Sequence, residues 1–123
     1  MPNNYNDIDL TFLYEIADGS DEFIVESITM FLDQSPQILQ EISGALAAKD
    51  WATASASAHK IKANLGFFGM LNSQALMQDI EQDCKAGDPN PADMETKYNQ
   101  VAEIINNNLT ELAKIKEEKE ANL

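Results

Sequence analysis

Residues 51–69, WATASASAHKIKANLGFFG, carry the pattern that decides the fold. Apolar or small side chains recur there at alternating steps of three and four residues, which is the spacing of one face of an α-helix. These positions are Trp51, Ala54, Ala58, Ile61, Leu65 and Phe68. Asp50 is well placed to cap the start of this helix, and Gly66 and Gly69 are suited to turn the chain after it. The stretch predicts a helix with one buried face, followed by a turn.

The N-terminal half of the chain predicts two more helices. A short one should start after Asp9, which is a plausible N-cap, and stop at Gly19. It is expected to bury Leu10, Leu13, Ile16 and Ala17. A long helix should start at Ser20 and run to Ala48. Pro36 lies within it, so we expect a kink, or two segments that meet there.

The C-terminal half predicts the last two helices. The fourth helix should end at Gly87. The fifth should begin with Asn90 as its N-cap and Pro91 at the first helical position. Its charged end, residues 114–123, is expected to fray. Because helical spacing runs through every segment, the fold class is all-α. We predict an antiparallel four-helix bundle with a short extra N-terminal helix, forming a single domain over residues 1–123 with its core at about 8–116.

Composition limits the function. The chain has 21 Asp and Glu residues against 8 Lys, and its net charge is −13. Such a field repels polyanions, so no nucleic acid and no anionic membrane surface is expected as a partner. The N-terminus has no signal-peptide pattern, and no apolar run approaches the roughly 18 residues needed to cross a bilayer. The single cysteine, Cys84, cannot form an internal disulfide, which fits a cytoplasmic location.

The only histidine of the chain, His59, lies on an unusually bare face. At about 100° per residue it falls roughly 90° from the buried stripe, at the edge of the bundle. Five of its six helical neighbours are small, and the sixth is a lysine: Ala52, Ser55, Ala56, Lys62, Ala63 and Gly66. A solvated face or close helix packing would explain small residues too. We favour a docking platform, because the core is already supplied by the other stripe.

The chemistry of this face suits phosphoryl transfer. An imidazole near its reference pKa of about 6.5 is a usable nucleophile at neutral pH. Lys62, one turn along, could neutralise a phosphoryl group on the ring. If the following turn is centred near Met70, Glu81 lies level with His59 and Gln78 with Lys62, within one helical turn. Glu81 would then fix the imidazole tautomer, or it is an ordinary surface acid; the sequence favours neither interpretation.

These residues resemble the signature of histidine-containing phosphotransfer (HPt) domains. The matching segments are AHKIKANLGFFGM at 58–70 and LMQDIE at 76–81, and the resemblance spans about residues 8–116. His59 matches the phospho-accepting histidine, Lys62 the family lysine, Gly69 the turn glycine and Glu81 the closing acid. Ala63 departs from the family, which usually has glycine there. We expect activity to be retained with an altered partner preference.

The resemblance implies a phosphorelay intermediate of two-component signalling. His59 would take a phosphoryl group from the aspartate of one receiver domain and pass it to another. The implied partners are response-regulator receiver domains and a hybrid sensor histidine kinase. The domain would be a monomeric carrier and not an enzyme, without a bound cofactor or metal, since the receiver supplies Mg²⁺. Candidates for the apolar docking patch of the family are Phe12, Tyr14, Phe23 and Ile24.

Two other kinds of function fit the same sequence less well. One is a helical-bundle adaptor that binds a protein partner and relays nothing, with His59 incidental. The other is a hydrolase built on Cys84 and His59, although a cysteine on an apolar stripe is more often a buried thiol. An exposed imidazole that can be phosphorylated distinguishes the phosphorelay from both.

Overall fold

The computed structural model describes residues 7–123, which form five helices. The helices are α1 (Thr11–Ala17), α2 (Asp21–Ala47), α3 (Trp51–Phe67), α4 (Leu71–Lys85) and α5 (Pro91–Glu120). Helix α3 packs between α2 and α4, and α5 closes the bundle against α2 and α4. The short α1 packs on α2. The predicted all-α, antiparallel bundle with a short N-terminal helix is confirmed.

Polar side chains start the helices at the positions that the sequence indicated. Ser20 Oγ accepts a hydrogen bond from the Phe23 amide at 3.1 Å. The carboxylate of Asp50 and the amide oxygen of Asn90 accept the same kind of bond at the starts of α3 and α5. In α1 the cap position belongs to Leu10, so the prediction of Asp9 as N-cap was one residue early. Asp9 instead accepts bonds from the amide and hydroxyl of Thr11.

One apolar core runs through the bundle and includes side chains from all five helices. Its fully buried members include Leu13, Ile28, Ile42, Ile61, Leu65, Met77, Ile80, Ile105 and Leu112. The sequence placed Ile16 in this core, and that was wrong, because Ile16 is 44% exposed. Leu13 and Ala17 are one turn apart and face α2, whereas Ile16 lies about 100° round the helix from Ala17. A helix of two turns can bury only one narrow face.

Helix α2 continues through Pro36 without interruption. The alternative of two separate segments is therefore wrong. Proline removes one helical N–H and with it the bond to the carbonyl four residues earlier. The burial of apolar side chains on both sides of Pro36, among them Phe31 and Ile38, holds the two halves of the helix to one core.

The charged C-terminal end is helical through Glu120. Lys119 explains this, because its ammonium lies 3.5 Å from the Asp21 carboxylate and 5.2 Å from the centre of the Tyr14 ring. A second ion pair, between Lys116 and Glu120, links successive turns of α5. Contacts with α1 and α2 thus give the last turns of α5 a tertiary anchor that local sequence does not reveal.

The segment before α1 secures the turn between α3 and α4. The Asp7 carboxylate accepts bonds from the Ser73 amide at 2.8 Å and from Asn108 Nδ2 at 2.7 Å, which joins the start of α4 to α5. The Asp9 amide donates to the Phe68 carbonyl. Gly69 has a φ of +70°, and a Cβ there would collide with the Asp9 carbonyl. The turn therefore requires glycine both for its backbone conformation and for the contact with this segment.

Candidate functional site

His59 projects from the middle of α3 at the edge of the bundle. Its side chain is 71% exposed, as the angular argument from the sequence predicted. The buried face of the same helix, with Ala58 and Ile61 completely inaccessible, fixes the helix on the core. The imidazole is therefore held on a rigid element while its outer edge remains open to a partner.

Glu81 of α4 lies directly beside the histidine. Its Oε2 is 2.9 Å from His59 Nδ1, and its Oε1 accepts a hydrogen bond from Lys62 Nζ at 2.7 Å. The Glu81 side chain is only 4% exposed, so the interpretation of an ordinary surface acid is wrong. The Lys62 ammonium, more than the hydrogen bond with His59, holds the pKa of Glu81 below its usual value of 4.5, against the opposing effect of burial. Glu81 is thus an ionised carboxylate at neutral pH.

An ionised carboxylate determines the state of the imidazole. It can only accept hydrogen bonds, so the Nδ1 that faces Glu81 must carry the proton. In the neutral ring Nε2 then holds the free lone pair. Nε2 is the nitrogen on the far side of the ring from Glu81, at the exposed edge. The pair therefore presents one nucleophilic nitrogen to an approaching partner.

The level-pairing argument was right for Glu81, whereas no hydrogen bond joins Gln78 to Lys62 among the described residues. Gln78 is exposed on α4. One turn earlier, Gln74 Nε2 donates to the Lys62 carbonyl at 3.2 Å. Sequence reasoning missed Gln74, although it lies within the one-turn uncertainty of that argument. Gln74 also explains Gly66, because a Cβ on Gly66 would lie 2.6 Å from Gln74 Nε2.

The small residues around His59 divide into two groups. Ala52, Ala56 and Ala63 are exposed, as a docking platform requires. Ser55 is buried and donates to the Glu81 carbonyl at 3.3 Å, while Gly66 makes room for Gln74. The structure therefore gives these last two a packing role between α3 and α4, which holds Glu81 in register with His59.

An apolar surface lies between the C-terminal end of α3 and the first two helices. Phe12 and Phe23 are exposed, Tyr14 is exposed but lies beside Lys119 of α5, and the fourth predicted member, Ile24, is buried in the core. The Phe12 ring meets Phe67 of α3 edge-on with centroids 5.9 Å apart, which extends the surface towards the histidine helix. Met30, which no sequence pattern indicated, is also exposed and lies beside Phe67.

The cysteine does not suit catalysis. Cys84 is buried, and burial raises the pKa of its thiol, so a thiolate nucleophile is disfavoured. No group of three or more His, Cys, Asp or Glu side chains within residues 7–123 is arranged to hold a metal ion. Among the same residues, none of the helices combines the length and the apolar character needed to span a bilayer.

Comparison with known proteins agrees with this geometry. A model of the Hpt domain family matches residues 26–115. A crystal structure of the HPT domain from a sensor hybrid histidine kinase of Shewanella superimposes with a TM-score of 0.64, at 25% sequence identity, covering 95% of this chain and 93% of that one. A search of curated proteins found no match. The chain belongs to the Hpt domain family, and its role is that of a phosphorelay protein in two-component signalling.

Proposed function

We propose that His59 is the phospho-accepting residue and that the phosphoryl group binds its Nε2. The supporting observation is the bond between Nδ1 and the buried Glu81 carboxylate, which leaves Nε2 exposed with its lone pair. The donor is the aspartyl phosphate of a receiver domain, and a second receiver is the acceptor. The protein is a carrier that returns to its starting state after each transfer.

The transfer balances without any proton leaving the site. The Nε2 lone pair attacks phosphorus, the N–P bond forms, and the O–P bond breaks so that the receiver aspartate departs as a carboxylate. The ring becomes a phosphorylated imidazolium whose Nδ1–H is shared with Glu81, so the developing positive charge faces a carboxylate. Passing the group to the next aspartate reverses these steps and returns a neutral imidazole.

Lys62 has a double role in this proposal. In the resting protein its ammonium is bound to Glu81 and its side chain is one-fifth exposed. Because the ammonium carries three donors, it can keep that bond and also donate to a phosphoryl oxygen on His59. Mg²⁺ would come from the receiver, which needs it to neutralise its own aspartyl phosphate. The monomeric state and the cytoplasmic location stay predictions.

The experiment is phosphoryl transfer from receiver domains charged with acetyl phosphate to the purified chain, with His59→Gln alongside. An acid-labile, alkali-stable label marks an N–P bond, on the one histidine or on one of the eight lysines, so its loss in the His59→Gln variant identifies His59. We expect this label on the native chain and none on the variant. Label that persists on the variant would refute the assignment. No label from any receiver would instead favour the adaptor, which would bind partners through the exposed surface at Phe12 and Phe23.

A further inference from the structure

A groove runs from His59 towards the N-terminal end of α3, away from the Phe12 surface. It has a volume of about 680 Å³ and is mostly apolar. Besides His59 and Glu81 it is lined by Trp51, Ala52, Ser55, Ala56, Cys84, Lys85 and Gly87. Trp51 is eight residues before His59, so the groove extends about 12 Å along the helix at 1.5 Å per residue. The bare face around the histidine is one end of this longer surface.

Lys85 gives the groove its electrostatic character. It is the lysine that lines the groove, whereas Lys62, close to His59, is bound to Glu81. Lys85 is exposed, and no carboxylate within residues 7–123 lies in salt-bridge distance of its ammonium. In a chain of net charge −13, a cation that is not neutralised is a local point of attraction for an acidic partner.

We infer that this groove is a second part of the receiver-docking surface. It would hold an apolar side chain of the receiver, with a neighbouring receiver carboxylate bound to Lys85. This inference rests on the proposed function, since the groove shares His59 and Glu81 with the phosphoryl site and a partner that reaches Nε2 must cover its near end. The exposed Ala52 and Ala56 leave the depth for an apolar side chain, and Trp51 supplies a flat apolar wall.

Two variants test the groove. Ala52→Leu fills it from an exposed position, and Lys85→Glu reverses its charge. Matched controls are Ala113→Leu and Lys114→Glu, which make the same changes at exposed positions of α5, away from the groove. Each protein is phosphorylated in two ways: by a charged receiver that labels the native chain, and by phosphoramidate, a small donor that needs no docking surface.

We expect transfer from the receiver to be about tenfold slower in both groove variants and unchanged in both controls. Phosphorylation by phosphoramidate should stay within about twofold of the native rate throughout. Added salt should narrow the difference in receiver transfer between the native chain and the Lys85→Glu variant, since salt screens the charge that the substitution reverses.

Native rates of receiver transfer in both groove variants would overturn the inference. Equal loss of both reactions would overturn it as well, because the substitutions would then have damaged the histidine site itself. Failure of the native chain to accept phosphoryl groups from either donor would refute the proposed function, and the inference with it. If phosphoramidate labels the native chain and no receiver does, His59 is reactive but receiver docking is refuted.

Discussion

Replacing Glu81 by glutamine removes one charge from the centre of the site and leaves its shape almost unchanged. The native carboxylate accepts one bond from Lys62 and one from the His59 ring. A hydrogen bond to a charged group contributes about 1.5–3 kcal/mol. In the variant the glutamine oxygen can still accept a hydrogen bond from Lys62, but the ion pair is lost. The glutamine nitrogen then faces His59 Nδ1, and it cannot accept the proton that Nδ1 carries. Lys62 is 20% exposed and recovers part of this loss in water. We expect the variant to be about 1–2 kcal/mol less stable at pH 7.

The pH dependence of this difference is the sharper test. The pKa of Glu81 is lower in the folded protein than its usual 4.5, chiefly because of the bond from Lys62. A depressed pKa contributes stability that is present above the unfolded value and is lost as pH falls through the folded value. Glutamine does not titrate. The difference between native and variant free energies of unfolding should therefore be full above about pH 5 and shrink as pH falls below about 4.5.

The assay is urea unfolding followed by far-ultraviolet circular dichroism, at pH 7 and in steps down to about pH 3. Glu41→Gln is the matched control. Like Glu81, the Glu41 carboxylate accepts a hydrogen bond from a lysine, and it accepts another from a serine, but its side chain is 48% exposed. Its substitution should change stability by less than about 0.5 kcal/mol at every pH. A Glu81→Gln difference that is absent at pH 7, or that stays constant down to pH 3, would refute the buried ionised bridge.

Three further predictions concern the histidine, a turn and the docking face. Nitrogen-15 NMR at about pH 8 should show the His59 proton on Nδ1, where Glu81 accepts it; a proton on Nε2 would contradict the proposed nucleophile. Gly69→Ala should lower the free energy of unfolding in urea by more than about 1 kcal/mol, since alanine would have to adopt a φ of +70° and its Cβ would meet backbone atoms. Gly44 lies in a helix with open space around it, so Gly44→Ala should raise the free energy of unfolding by up to about 1 kcal/mol. Ala63→Phe should slow receiver transfer without lowering the melting temperature; transfer at the native rate would show that this alanine faces no partner.

The sequence by itself determined the helices and the position of the histidine. Helix periodicity, polar N-caps and glycine turns are local signals, and the bounds of α2 to α4 followed from them closely. Angles around a helix are local too, so the exposure of His59, about 100° from a buried Ala58, could be worked out from spacing alone. Lys62 is one turn along the same helix from His59, so its position followed from spacing as well. Glu81 could be placed level with His59 because the turn between α3 and α4 is short and its centre could be estimated from the sequence.

Tertiary structure decided what those side chains do. Whether Glu81 was a buried bridge or a surface acid depended on how closely α4 packs on α3, which spacing does not fix. Gln74 donates to the Lys62 carbonyl whereas the Gln78 side chain is exposed, and only the packed pair of helices shows which of these two glutamines turns towards α3. The contacts at the end of α5 and the exposure of Ile16 likewise depend on how helices distant in the chain pack. Local sequence sets which faces are apolar, but only the packed bundle sets which polar groups meet between them.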